Sequence, residues 1–220
     1  RLVRYWVFLA LGYLLGVGGY LYYSALHGFF SSYSATVASI GPRYLIGAVG
    51  LYYLLVFLIG LVFLGFDLRA RDQRERVVEV LDSRPVTNLE LVGGRFLGLL
   101  LMAWVPVLAL AVVIQLLGLL LKALGAPLGE PVEPVSLIAF TVFMALPAFA
   151  FALAVVFLVT LLVRHRLAAS VLALALLGGL VFASFRLPIS WGPLVDVTGA
   201  YVVNFPSDIV PGIADAVGWL

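Results

Sequence analysis

Five long apolar runs decide what this chain can fold into. They cover roughly residues 5–26, 44–66, 96–121, 135–163 and 167–185 of the 220. Each reaches or approaches the ~20 residues that an α-helix needs to cross about 30 Å of hydrocarbon. Inside lipid, every backbone N–H and C=O must find its partner within the protein, which leaves helices or closed barrels. A barrel strand alternates apolar and polar residues, and these runs do not alternate. The expected fold is therefore all-α: a polytopic membrane bundle over 1–185. Composition agrees, with 64% hydrophobic and 11% charged residues, against about 45–50% and 25% in soluble domains.

The few charges orient the bundle. Five crossings put Arg1, Arg4, Arg69, Arg71, Arg74, Arg76, Arg84, Arg95, Arg164 and Arg166 on one side. Arg43, Lys122 and Arg186 fall on the other. Short loops rich in arginine stay in the cytoplasm. The beginning of the chain and the 67–95 loop are then cytoplasmic, 186–220 is external, and the expected location is a prokaryotic plasma membrane. The chain opens on Arg1 and ends on Leu220 outside the membrane, so a preceding segment and a further span are expected in the full protein. Lipid is an expected contact, and a formal charge of +2 gives no footing for nucleic acid.

The residue inventory excludes most chemistry. Without cysteine there is no disulfide, thiolate metal site or thiol nucleophile. His27 and His165 lie at opposite ends of the runs, so neither a serine–histidine pair nor a metal cluster forms at membrane depth. The one lysine, Lys122, stands between Leu121 and Ala123 and cannot complete a Gly-Lys-Ser/Thr phosphate loop. No ionisable group sits in the middle of a run, where proton- and ion-driven carriers place theirs. The chain is expected to be no enzyme, to hold no cofactor or metal, and to take any energy it uses from a partner.

Three residues within the runs stand out as candidate pathway or hinge positions: Pro106, Gln115 and Pro147. A proline removes a helical hydrogen bond and bends the helix. The bends could accommodate long helices in the bilayer or serve as hinges lining a pathway. Gln115 could bond a neighbouring helix or contact a substrate. Gly12-x-x-x-Gly16 and Gly94-x-x-x-Gly98 carry the spacing of close helix contacts.

The 67–95 loop is the most informative stretch. It holds twelve of the chain's 24 charged residues. The pairs Arg71/Glu75 and Asp72/Arg76 are four apart, and Val77, Val78 and Leu81 share a face, which predicts an amphipathic helix over about 71–82. Pro85 ends it. Thr87-Asn88-Leu89-Glu90 then has the form of a capping box that starts the next helix. The 71–82 helix could lie on lipid headgroups. Its mixed charges point instead to a protein partner.

The run 71–92, Arg-Asp-Gln-Arg-Glu-Arg-Val-Val-Glu-Val-Leu-Asp-Ser-Arg-Pro-Val-Thr-Asn-Leu-Glu-Leu-Val, followed by Gly94-Arg95 and Gly98, resembles permeases of the type-2 ATP-binding-cassette exporter family. Lysine is common in that family where Arg95 stands. The resemblance implies a coupling helix between spans two and three, docked on an ATPase subunit through Asp72, Arg74, Glu75, Arg76, Val77, Glu79, Val80, Leu81 and Asp82. It implies six spans, of which five are present, and a second permease, identical or not, to complete the pathway. It also implies that 186–220, with four prolines and three aspartates, is an external or re-entrant segment before the last span. The competing expectation is a membrane scaffold that transports nothing and uses the 67–95 loop to recruit a cytoplasmic partner.

Overall fold

A computed structural model of the chain describes residues 3–30, 54–66, 87–126, 132, 134–163 and 165–186. Among these, every regular element is a helix. In chain order they are α1 (Val3–Phe30), α2 (Leu54–Phe66), α3 (Asn88–Ala123), α4 (Pro134–Ala139), a π-helical segment (Phe140–Ala145), α5 (Leu146–Leu162) and α6 (Arg166–Arg186). Four stretches are long and apolar enough to cross a membrane: Tyr5–Phe29, Glu90–Ala123, Phe140–Leu162 and Leu167–Ser184. They coincide with the first, third, fourth and fifth expected spans. The second is described only over α2, which is helical; its first part, 44–53, lies outside the described residues. So do 67–86, which hold the expected coupling helix, and 187–220.

Local chemistry sets both ends of α3. At its start the Thr87 backbone N–H donates to Glu90 Oε2 at 2.9 Å, and the Glu90 N–H donates to Thr87 Oγ1 at 3.3 Å. This is the reciprocal pair that the Thr-x-x-Glu spacing predicts. At its end Gly125 turns left-handed, at φ 67°. The Gly125 N–H reaches the Lys122 carbonyl, and the Ala126 N–H reaches that of Leu121. That double closure requires positive φ, which glycine adopts without a Cβ penalty. Between these stops α3 runs 36 residues, about 54 Å at 1.5 Å per residue. Its first turns therefore project beyond a hydrocarbon layer of about 30 Å.

Paired contacts fix the directions of the helices. Tyr5 meets Met102, Tyr13 meets Pro106 and Gly16 approaches Leu110, so α1 and α3 run parallel. Phe57 lies against Phe149 and Gly65 against Val156, so α2 and α5 run parallel. Phe96 sits beside Phe157 whereas Trp104 reaches Thr141, which makes α3 and α5 antiparallel. Three residues separate α5 from α6, and α6 packs back on α5. This alternation gathers the starts of α1, α3 and α6 with the ends of α2 and α5 at one pole. Arg4, Arg95 and Arg166 stand at that pole, and Lys122 and Arg186 stand at the other.

Helix faces divide by residue size. The inner face of α5 carries Ala148, Phe149, Ala152, Leu153, Val156, Val159 and Thr160. On α6 the buried positions Ala169, Ala173 and Leu177 recur every four residues, one helical face. Lipid tails are as apolar as leucine, so burial alone gives little drive for association. Close van der Waals packing around small residues supplies it. Gly16 and Gly60 let Leu110 and Phe8 approach α1 and α2. Gly16, the second glycine of the first Gly-x-x-x-Gly, thus packs α1 on α3 within the chain. Gly94 and Gly98 meet nothing within 4 Å.

Candidate functional site

The polar contacts between elements converge on α3. Pro106 has no N–H, so the carbonyl four residues earlier, at Met102, loses its usual donor. An unpaired carbonyl is costly in hydrocarbon. Here the Tyr5 hydroxyl of α1 donates to the Met102 carbonyl at 3.2 Å. Two turns along α1, the Tyr13 hydroxyl donates to the Pro106 carbonyl at 2.9 Å. Tyr5 thus supplies the donor that the proline removes, Tyr13 adds a bond to a carbonyl beyond the break, and α3 stays helical through Pro106.

The other side of the same turn holds the fourth span. Trp104 Nε1–H donates to the Thr141 carbonyl at 2.8 Å. Thr141 lies inside the π-helical segment, whose last residue precedes Pro147 by two. The sequence predicts a helix over 135–163 that bends or tilts at Pro147. The structure differs by this wide turn, which carries one surplus residue. Pro147 again has no N–H to offer, and the wide turn lies where an ordinary helix would direct its ring at the Phe143 carbonyl.

Further toward the Lys122 pole, Gln115 Oε1 accepts from the Val132 N–H at 3.0 Å. Its partner is thus the connector between α3 and α4. Sequence reasoning expected another helix or a substrate there. Val132 is 1% exposed, so its amide has little access to water. Gln115→Leu should leave that amide without an acceptor, a loss of about 1 kcal/mol. Hydrogen exchange at the Val132 amide is expected to accelerate severalfold while exchange along α3 stays unchanged.

The three candidate residues therefore occupy separate places. Pro106 is buried against α1, Gln115 anchors the connector, and Pro147 is exposed on the outer face of α5. Nine residues separate Pro106 from Gln115, about 13 Å along the axis. The residues that sequence reasoning missed are Tyr5, Tyr13, Trp104 and Thr141. A signal existed for one of them: a proline at 106 implies a carbonyl at 102 in need of a donor.

Among the described residues no group of His, Cys, Asp and Glu could hold a metal. The buried hydroxyls of Thr141, Thr160, Ser170 and Ser184 return to carbonyls three residues back on their own chain. Only Ser24 Oγ is buried without a partner among the described side chains. The arrangement consists of lateral hydrogen bonds placed around Pro106, before Pro147 and at the connector that follows α3. The coupling-helix candidates Asp72, Arg74, Glu75, Arg76, Val77, Glu79, Val80, Leu81 and Asp82 lie outside the described residues. Comparison of the chain with family models, curated proteins and solved structures finds no match.

Proposed function

We propose that this membrane-embedded chain is the permease subunit of an ATP-binding-cassette exporter. In this reading a separate ATPase subunit binds the 71–82 helix, and the nucleotide cycle drives the bundle between inward- and outward-open forms. A second permease, identical or not, completes the pathway. The observation that carries the reading is the segregation of charge. Half of it lies in one loop of 29 residues, while the span interiors hold no ionisable group to harness an ion gradient.

The helix that leaves this loop suits the role. Its capped start at Thr87 lies two residues after Pro85 in the sequence, and the helix continues without interruption to Ala123. Force applied to the loop would reach the Pro106 turn, and through Tyr5 and Trp104 both neighbouring elements. The substrate stays unassigned, because the span faces offer general apolar surface and no distinctive recognition group.

Charge reversal tests the reading. The full-length protein is purified from its native membrane, as wild type and as the Glu75→Lys, Glu79→Lys double variant, and the nucleotide-binding subunit that accompanies each is quantified. The wild type should retain the ATPase, and the variant should lose at least tenfold of it while its own helicity and yield stay unchanged. Equal retention by both proteins would remove the 71–82 helix from the interface. Absence of any nucleotide-binding partner would remove the exporter reading itself.

A further inference from the structure

Among the four apolar crossings α6 is the shortest. Its stretch Leu167–Ser184 has 18 residues, against 34 for Glu90–Ala123. Arginines bound it on both sides, Arg166 and Arg186. Ala168, Leu172, Ala175, Gly179, Phe182 and Arg186 recur every three or four residues, one helical face, and all six are exposed. In a membrane that face meets lipid along its length and ends on a charge.

The charge does not reach outward. The guanidinium carbon of Arg186 lies 5.3 Å from the centre of the Phe182 ring, one turn back along the helix. Among the described residues this guanidinium meets no carboxylate and no other hydrogen-bond acceptor. Its N–H donors thus stand at the edge of the hydrocarbon with only a ring beneath them. Phe182 itself belongs to the apolar stretch. Arg166 and Phe182 are sixteen residues apart, about 24 Å at 1.5 Å per residue, whereas the hydrocarbon layer is about 30 Å thick. A short span is accommodated by snorkelling of its flanking residues or by thinning of the bilayer. Stacking on Phe182 turns Arg186 away from the first course.

We propose that Arg186, stacked on Phe182, binds the phosphate of a bilayer phospholipid at the Lys122 pole and draws it inward along α6. A phosphate offers the guanidinium paired acceptors that match its donor fork. The ring face beneath attracts the same cation. The guanidinium is therefore held at the level of the last apolar turn, and the phosphate comes to it. The bilayer is thinned beside this helix. The inference goes beyond the exporter reading and does not depend on it, since it concerns the lipid around the bundle.

The thinning can be read from the same face. The chain has no cysteine, and a Cβ at Gly179 meets nothing within 4 Å, so a nitroxide is placed at Gly179→Cys in the full chain. Its collision rate with a water-soluble nickel chelate is measured in vesicles of phosphatidylcholine and of digalactosyldiacylglycerol, which has no phosphate. In phosphatidylcholine, Arg186→Gln should lower the rate severalfold. Phe182→Leu, which keeps the charge and frees it from the ring, should lower it as well. In the galactolipid all three proteins should give the same rate. Equal rates for wild type and Arg186→Gln in phosphatidylcholine would overturn the lipid site, and a wild-type rate in Phe182→Leu would remove the ring from it. A difference that persists in the galactolipid would show that water, not phosphate, follows the guanidinium. If inorganic phosphate added to the galactolipid vesicles creates the difference, the site takes a free anion and the lipid assignment falls.

Discussion

Gly65→Ala should destabilise the bundle by about 2 kcal/mol, and Gly65→Leu should separate α2 from α5 altogether. A Cβ built at Gly65 would stand 2.7 Å from Val156 Cγ1, closer than carbon atoms can approach. Whether the neighbour can yield decides the cost. Val156 is β-branched and strongly confined at χ1 when helical. It is also 1% exposed, so its methyl has no free volume to enter. Gly16 provides the internal comparison. There the nearest atoms are the ends of the Leu110 side chain, at 2.9 and 3.2 Å. A leucine tip can change rotamer, so Gly16→Ala should cost less than Gly65→Ala. Unfolding in mixed micelles of increasing SDS content would rank the variants. Val156→Ala should recover much of the loss in the Gly65→Ala background, although alone it creates a cavity. Equal stability of Gly65→Ala and wild type would mean that the α2–α5 contact is looser than described.

Physical chemistry divides what the sequence makes legible from what it does not. Spans are legible because the backbone must satisfy itself across a fixed thickness of hydrocarbon, and 20 apolar residues in a row have few other uses. The start of α3 is legible because Thr87 and Glu90 act locally, three residues apart. Facing is not legible. Leu153 is completely buried and Leu161 is 79% exposed, yet both are leucines on α5, and lipid accepts either. The π segment is equally silent in the sequence. The 135–163 run is longer than a crossing requires, so one surplus residue leaves its hydropathy unchanged. The wide turn differs from an ordinary one only in the register of its backbone hydrogen bonds, which hydropathy does not encode.

The candidate site divides in the same way. Prolines at 106 and 147 are visible as places where a helix loses a donor. The compensating donors are not, because Tyr5 lies 97 residues from Met102 in the chain. Gln115 is visible as a polar group in an apolar run, but its choice of a connector amide depends on where the chain after α3 turns. Left-handed Gly125 closes the end of α3 locally, but that closure does not reveal which later amide Gln115 will meet. The charged 71–82 helix remains the part of the site argued from sequence. The described structure adds the capped and continuous path by which a movement there could enter the membrane.

The Tyr5–Pro106 pair permits the sharpest energetic test, because its two halves should depend on each other completely. In wild type, Tyr5→Phe leaves the Met102 carbonyl without a donor inside the bundle. The expected cost is about 1 kcal/mol: an unsatisfied buried group costs roughly 1–3 kcal/mol, and interhelical bonds in membranes average about 0.6. Pro106→Ala restores the backbone N–H and returns the Met102 carbonyl to its own helix. In that background Tyr5→Phe should cost almost nothing, because the hydroxyl no longer fills a vacancy. The double-mutant cycle should therefore give a coupling close to the whole single-mutant cost, although residue 106 never touches the Tyr5 ring by a side-chain hydrogen bond. Tyr13→Phe is the control. The Pro106 carbonyl it serves lies on the other side of the break and can still accept from Leu110 of its own helix, so its cost should be similar in both backgrounds. Unfolding of the four proteins in SDS micelles measures the cycle. An equal cost of Tyr5→Phe with and without the proline would mean that the tyrosine contributes ordinary packing, and that α3 tolerates Pro106 without a lateral donor.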